Sequence, residues 1–124
     1  MQTPRAIACT IYPDVQVLDV TGPLQVFASA NVELQRQGRP AGYSLHLLAD
    51  AVGPVACSAG FSLLAEAARE DEDPARFDTV LVPGGWGAEA QLRNAPLLAW
   101  LQRAEPRVRP VSYTHLRAHE TRGN

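Results

Sequence analysis

Ala6-Ile7-Ala8-Cys9-Thr10-Ile11-Tyr12, followed at once by Pro13-Asp14 and then by Val15-Gln16-Val17-Leu18-Asp19-Val20-Thr21-Gly22-Pro23, is the stretch that decides the fold. A continuous apolar run of strand length has no polar face, so it predicts a strand buried on both sides, as in a parallel sheet. Pro13-Asp14 ends that strand. Asp19-Val20-Thr21-Gly22-Pro23 then reads as the opening of a helix, with Pro23 in the first turn, where its missing N–H costs nothing. Pro23, Phe27, Ala30 and Leu34 recur at spacings of 4, 3 and 4 and predict one packing stripe on that helix. Gly38 and Pro40 close it.

The rest of the chain repeats the pattern. Tyr43-Ser44-Leu45-His46-Leu47-Leu48-Ala49 alternates and predicts a second strand, with His46 on its more polar side in a surface or supporting position. Residues 52–57 and 61–64, joined through Ser58-Ala59-Gly60, predict a hairpin. Residues 66–73 are acidic and read as a solvated connection. Phe77-Asp78-Thr79-Val80-Leu81-Val82 predicts the next buried strand, which runs straight into Pro83-Gly84-Gly85-Trp86-Gly87. Two helices follow, over residues 88–93 and 96–105. The second carries Leu97, Trp100, Leu101 and Ala104 on one face and is stopped by Pro106. A further strand begins at residues 107–111. Strands alternating with helices through short connections predict an α/β fold, a mostly parallel sheet with helices on both faces.

At 124 residues the chain is long enough for one domain with a real core. A hydrophobic fraction of 46% and 19% charged residues fit a globular protein. The net charge of −2 gives no reason to expect these residues to bind nucleic acid. Met1-Gln2-Thr3-Pro4-Arg5 lacks the basic start and long apolar run of a signal peptide, and no apolar run nears the ~20 residues of a membrane span. The cytoplasm is the expected location, with no membrane partner. Cys9 and Cys57 suggest neither a disulfide framework nor a metal knuckle, and read as small buried hydrophobes.

In sheets of this kind ligands bind at the carboxyl ends of the strands. Two features lie there. The paired glycines Gly84 and Gly85 let backbone N–H groups converge on a ligand, which is how an oxyanion hole is made; the alternative is a tight turn needing positive φ. Asp19 is either a helix cap or a carboxyl group at the ligand edge that serves a nucleophile. No phosphate-loop lysine is present, so no nucleotide or other cofactor is expected. His115 and His119, with Glu120 adjacent, have helical spacing but no evident third ligand, so no metal site is expected either.

The stretch from Tyr12-Pro13-Asp14-Val15 through Leu18-Asp19-Val20-Thr21-Gly22-Pro23-Leu24-Gln25-Val26-Phe27 resembles the ThiJ/PfpI superfamily, the class I glutamine-amidotransferase-like proteins. Gly53-Pro54-Val55-Ala56-Cys57-Ser58-Ala59-Gly60-Phe61 and Asp78-Thr79-Val80-Leu81-Val82-Pro83-Gly84-Gly85 fit the same pattern, and the similarity covers roughly residues 5–110. The resemblance implies a flavodoxin-like α/β fold. It implies that Asp19 matches the acid that hydrogen-bonds a nucleophilic cysteine, and that Gly85, with Gly84, matches the backbone oxyanion position. The cysteine should follow the next strand on a turn reading roughly Ser-Val-Cys-Thr-Gly; here Ser112 is followed by Tyr113-Thr114-His115.

Two branches of the superfamily share these motifs: sensor domains of AraC-type transcriptional regulators, and isonitrile-hydratase-like enzymes. The Ala30-Asn31 pair and the segment over residues 38–43 look more like the regulators. The resemblance therefore implies a fragment of a ligand-sensing and dimerisation domain, not catalytic as given. Its partners would be a small-molecule ligand and a second copy, with DNA bound only through a C-terminal domain outside this chain. The alternative is a truncated cysteine-dependent enzyme. A dimerisation domain without a ligand is a third possibility. Residues 1–110 are expected to be the N-terminal part of the domain, incomplete at its C-terminus, and residues 111–124 a non-native tail resembling translated adapter sequence.

Overall fold

A computed structural model of the chain describes residues 3–111. Its strands are β1 (Arg5–Thr10), β2 (Tyr43–Ala49), β3 (Gly53–Ala56), β4 (Ser62–Ala65), β5 (Ala67–Ala68), β6 (Thr79–Pro83) and β7 (Val108–Val111). Its α-helices are α1 (Val17–Arg36), α2 (Ala88–Gln91) and α3 (Ala95–Arg103). Five strands form one sheet in the order β5-β2-β1-β6-β7, and β3 and β4 form a separate antiparallel hairpin. Every pairing in the large sheet is parallel. With the short β5 set aside, the order β2-β1-β6-β7 is that of a flavodoxin-like sheet.

Period-two alternation along β1 divides the core between the two faces of the sheet. Ile7 and Cys9 join Ile11, Tyr12, Val15, Val20 and Leu81 in a cluster against which Leu24 and Phe27 of α1 pack. Ala6 and Ala8 point the other way, into a cluster with Leu48, Phe77, Val80, Trp100 and Ala104. The small residues of β1 lie on the face that must accommodate the Trp100 and Phe77 rings, whose centroids are 6.2 Å apart. Trp100 also donates its indole N–H to the Glu72 carbonyl, 2.9 Å away, so its one polar atom is satisfied in the core.

Most of the expected elements form where the pattern placed them, with two differences. Helix α1 begins at Val17, so Pro23 lies inside it, in the second turn. The start is set by tertiary bonds: Gln16 N–H donates to the Gly84 carbonyl, which ends the turn after β1 and releases the chain into the helix immediately afterwards. The N-cap is Gln16 with no side-chain cap bond, so Asp19 does not cap the helix. It occupies the third helical position, where a carboxylate still meets the positive end of the helix dipole.

The second difference is in residues 66–73, which are more than a solvated connection. They contain β5, paired with the end of β2, and Arg69, which is buried with only 2% exposure. Its guanidinium lies 2.7 Å from Asp50 just beyond β2. Asp50 in turn accepts from the amide of Asn94, the N-cap of α3. Burial raises the Asp50 carboxyl pKa, but hydrogen bonds from Arg69 and Asn94 outweigh it and hold the group below its ordinary range.

Candidate functional site

In an open parallel sheet the ligand crevice lies where the strand order reverses, outside the carboxyl ends. Here that point falls between β1 and β6. Chain leaving β1 passes through α1 to β2 on one side, and β6 flanks β1 on the other. Both sequence candidates sit there, Asp19 after β1 and Gly84-Gly85 after β6.

The turn Tyr12–Gln16 is the hub of this crevice. Asp14 N–H donates to the Ala56 carbonyl at 2.8 Å, and Ser58 N–H to the Val15 carbonyl at 3.0 Å, which fastens the hub to the hairpin. Val15 forms isolated bridges to Cys57 on one side and to Gly85 on the other. Gln16 N–H donates to the Gly84 carbonyl at 2.9 Å, and Asp19 N–H to the Gln16 carbonyl at 3.0 Å. Two consecutive backbone bonds therefore connect Asp19 to the glycine turn. Asp14 has a φ of 65°, the only positive value for a non-glycine residue among those described. Aspartate tolerates that conformation better than most side chains.

The glycines are required by closeness. A Cβ on Gly85 would lie 2.6 Å from Gln16 N and 2.7 Å from the Asp14 carbonyl oxygen. A Cβ on Gly87 would strike the Pro13 carbonyl. Because the Gln16-to-Gly84 bond flanks the antiparallel Val15–Gly85 pair, that pair is of the non-hydrogen-bonded kind, and the Gly85 N–H points away from Val15. A backbone donor so placed can stabilise a negative charge developing in the crevice.

Asp19 is 2% exposed. Its charge is felt by two neighbours from β1 and the turn after it. Burial, and then Asp19, push the Cys9 thiol up to about 12. Burial and the same carboxylate also raise the Tyr12 phenol well above its ordinary range. The Tyr12 hydroxyl donates to the Pro83 carbonyl at 2.8 Å, directly ahead of the glycines. Sequence reasoning missed Tyr12 and Gly87 as parts of this site. Gly87 was legible as the third glycine of Pro83-Gly84-Gly85-Trp86-Gly87, whereas nothing in the pattern marks the Tyr12 contact.

Cys57 is buried and not in a disulfide, as is Cys9, and its N–H is bonded to the Phe61 carbonyl in the hairpin turn. His46 lies on the opposite sheet face from Cys9, in register with Ala8. Its ring nitrogen is 3.0 Å from Ser44 Oγ and its edge meets the Phe77 ring. It supports the core and takes no part in the crevice. His115, His119, Glu120 and Ser112 lie outside the described residues, as does the expected tail apart from Val111, which pairs with Pro83 in β7. Among the described residues no group of three or more His, Cys, Asp or Glu side chains could hold a metal ion, and no helix is long and apolar enough to cross a membrane.

The family model of the DJ-1/PfpI family matches residues 5–113, and the chain belongs to that family. Solved structures share the fold at low identity. A ThiJ/PfpI family protein from Pseudomonas syringae superposes with a TM-score of 0.71 at 23% identity, over 87% of this chain and 42% of that one. DJ-1beta of Drosophila melanogaster gives a TM-score of 0.58 at 18% identity, over 83% of this chain and 50% of that one. An AraC family transcriptional regulator from Pseudomonas putida gives 0.54 at 16% identity, over 78% and 61%. The chain thus spans about half the length of the structures it resembles. No curated protein sequence matches it.

Proposed function

We propose that the chain is the N-terminal part of the ligand-sensing and dimerisation domain of an AraC-type transcriptional regulator. On this reading it acts in the cytoplasm, binds a small molecule and pairs with a second copy. DNA binding belongs to a separate C-terminal domain. The observation that carries the reading is the Asn31 clamp, which accepts from the Gly42 and Tyr43 N–H groups and donates to the Tyr43 carbonyl. It joins the two segments, Ala30-Asn31 and residues 38–43, whose sequence looks more like the regulators. The likeness to the Pseudomonas putida regulator adds support at the level of the fold.

The enzyme reading, a truncated isonitrile-hydratase-like or other cysteine-dependent hydrolase or lyase, is favoured by one observation. Asp19 and the outward Gly85 N–H are the parts that would position a thiolate and stabilise an oxyanion. The coding sequence beyond codon 110 separates the two. A frame that runs into a helix-turn-helix region supports the regulator. A frame that places a cysteine on the turn after β7 and closes after about 100 further residues, giving a single domain of ordinary size, overturns it.

A further inference from the structure

At the opposite end of the sheet from the glycine turn lies an open pocket of about 820 Å³. Arg5, Leu34, Arg39, Pro40, Gly42 and Tyr43 are among the residues lining it. Its frame is fixed by the backbone. Helix α1 ends in a Schellman motif: Gly38, at a φ of 72°, donates its N–H to the Gln35 carbonyl, and Arg39 N–H donates to the Leu34 carbonyl at 2.9 Å. Arg5 N–H donates to the Gly42 carbonyl at 2.9 Å, and Arg5 stands in register with Tyr43. Asn31, reaching across from α1, accepts the Gly42 and Tyr43 N–H groups at 2.9 and 3.0 Å and donates to the Tyr43 carbonyl at 2.9 Å. Phe27 backs the Tyr43 ring, with centroids 4.8 Å apart.

Two guanidinium groups therefore rise from anchored backbone beside an apolar wall of Leu34, Pro40 and Tyr43. Among the described residues no carboxylate lines the pocket. Neither arginine takes part in an ion pair among the described residues, where the ion pairs involve Arg36, Arg69 and Arg76. The negative end of the α1 dipole lies nearby, but it amounts to about half a charge against two full ones, and the Leu34 and Gln35 carbonyls are already engaged. An arginine fork pairs with a carboxylate in a two-pronged, charge-assisted geometry. We propose that this pocket is a small-molecule site, separate from the glycine-turn crevice, that takes an organic carboxylate with an apolar body. The assignment does not depend on whether the chain serves a regulator or an enzyme.

Titration of the full chain with benzoate, followed by backbone amide chemical shifts, tests it. Benzamide, the neutral isostere, and inorganic phosphate, an anion without an apolar body, are run beside it. Benzoate is expected to shift the amides of residues 39–43, and benzamide and phosphate to shift them much less. Arg39→Gln and Arg5→Gln should each weaken benzoate binding about tenfold, the usual loss for one charge-assisted contact, and the double variant should abolish it. Both side chains are exposed, so an unchanged amide spectrum elsewhere verifies that the fold is intact. Absence of a benzoate shift, equal binding of benzamide or phosphate, or a response centred on residues 84–87 that survives in the double variant would each overturn the proposal.

Discussion

At the carboxyl ends of β1 and β6 the chain is held backbone against backbone: Gln16 to Gly84, Val15 to Gly85, Asp14 to Ala56. At the amino ends of β1 and β2 a single side chain, Asn31, clamps the loop leading into β2 with three hydrogen bonds. The two joints respond differently to substitution. The first has no room for a Cβ, so it is broken by adding atoms. The second has a side chain at its centre, so it is broken by removing them. Steric conflict against backbone cannot relax by a rotamer change, whereas a lost clamp leaves donors that water can reach at a partly open surface.

The sharpest test of this contrast is Gly87→Ala. The new methyl would collide with the Pro13 carbonyl, and the loss in urea unfolding should be about 3 kcal/mol or more, typical of strain imposed on a fixed backbone. Asn31→Ala should cost less, about 2 kcal/mol, because it removes three partly buried bonds without forcing any atom to move. If Asn31→Ala proved the more damaging of the two, the contrast would be inverted. Tyr12→Phe keeps the ring and removes only the bond to the Pro83 carbonyl, so about 1 kcal/mol is expected. Its amide shifts should be confined to residues 83–87. The last test concerns neither joint and is read from pH dependence rather than from the size of the loss, since Asp50→Asn also leaves the buried Arg69 guanidinium without that charge partner. The lowered pKa of Asp50 means that its pairing with Arg69 stabilises the fold above the ordinary carboxylate pKa. That contribution fades as the pH falls through the folded-state value. Asp50→Asn should flatten the acid limb of the stability curve below about pH 4. An unchanged limb would remove Asp50 from the account.

Much of this was legible in the residues. Ala6–Tyr12, apart from Thr10, and Val80–Val82 are apolar because their strands are covered on both faces, and that alone puts them in the interior of the sheet. The stripe of Leu97, Trp100 and Ala104 gave α3 for the same reason: all three are buried. The site was legible as two separate hints, an acid after one strand and glycines after another. Their connection was not, because it runs through Gln16 N–H and the Gly84 carbonyl, groups that every residue carries. The start of α1 was misplaced for the same cause, a tertiary backbone bond overriding the local preference of Pro23. Strand β5 is two alanines, too short and too neutral to signal a strand, and Arg69 in an acidic stretch gives no sign that it turns inward to meet Asp50.

The position of β1 in the middle of the sheet has a consequence for how the chain assembles. Ile7 pairs with Leu45 on one side and with Thr79 on the other. The first partner can arrive while α1 folds back across β1, but the second is more than seventy positions away along the chain. Closing so long a loop is entropically slow. During synthesis the apolar flank of β1 that β6 will cover stays open until residues 79–83 have been made. The crevice between β1 and β6 accordingly forms only after α1 and β2 have been made.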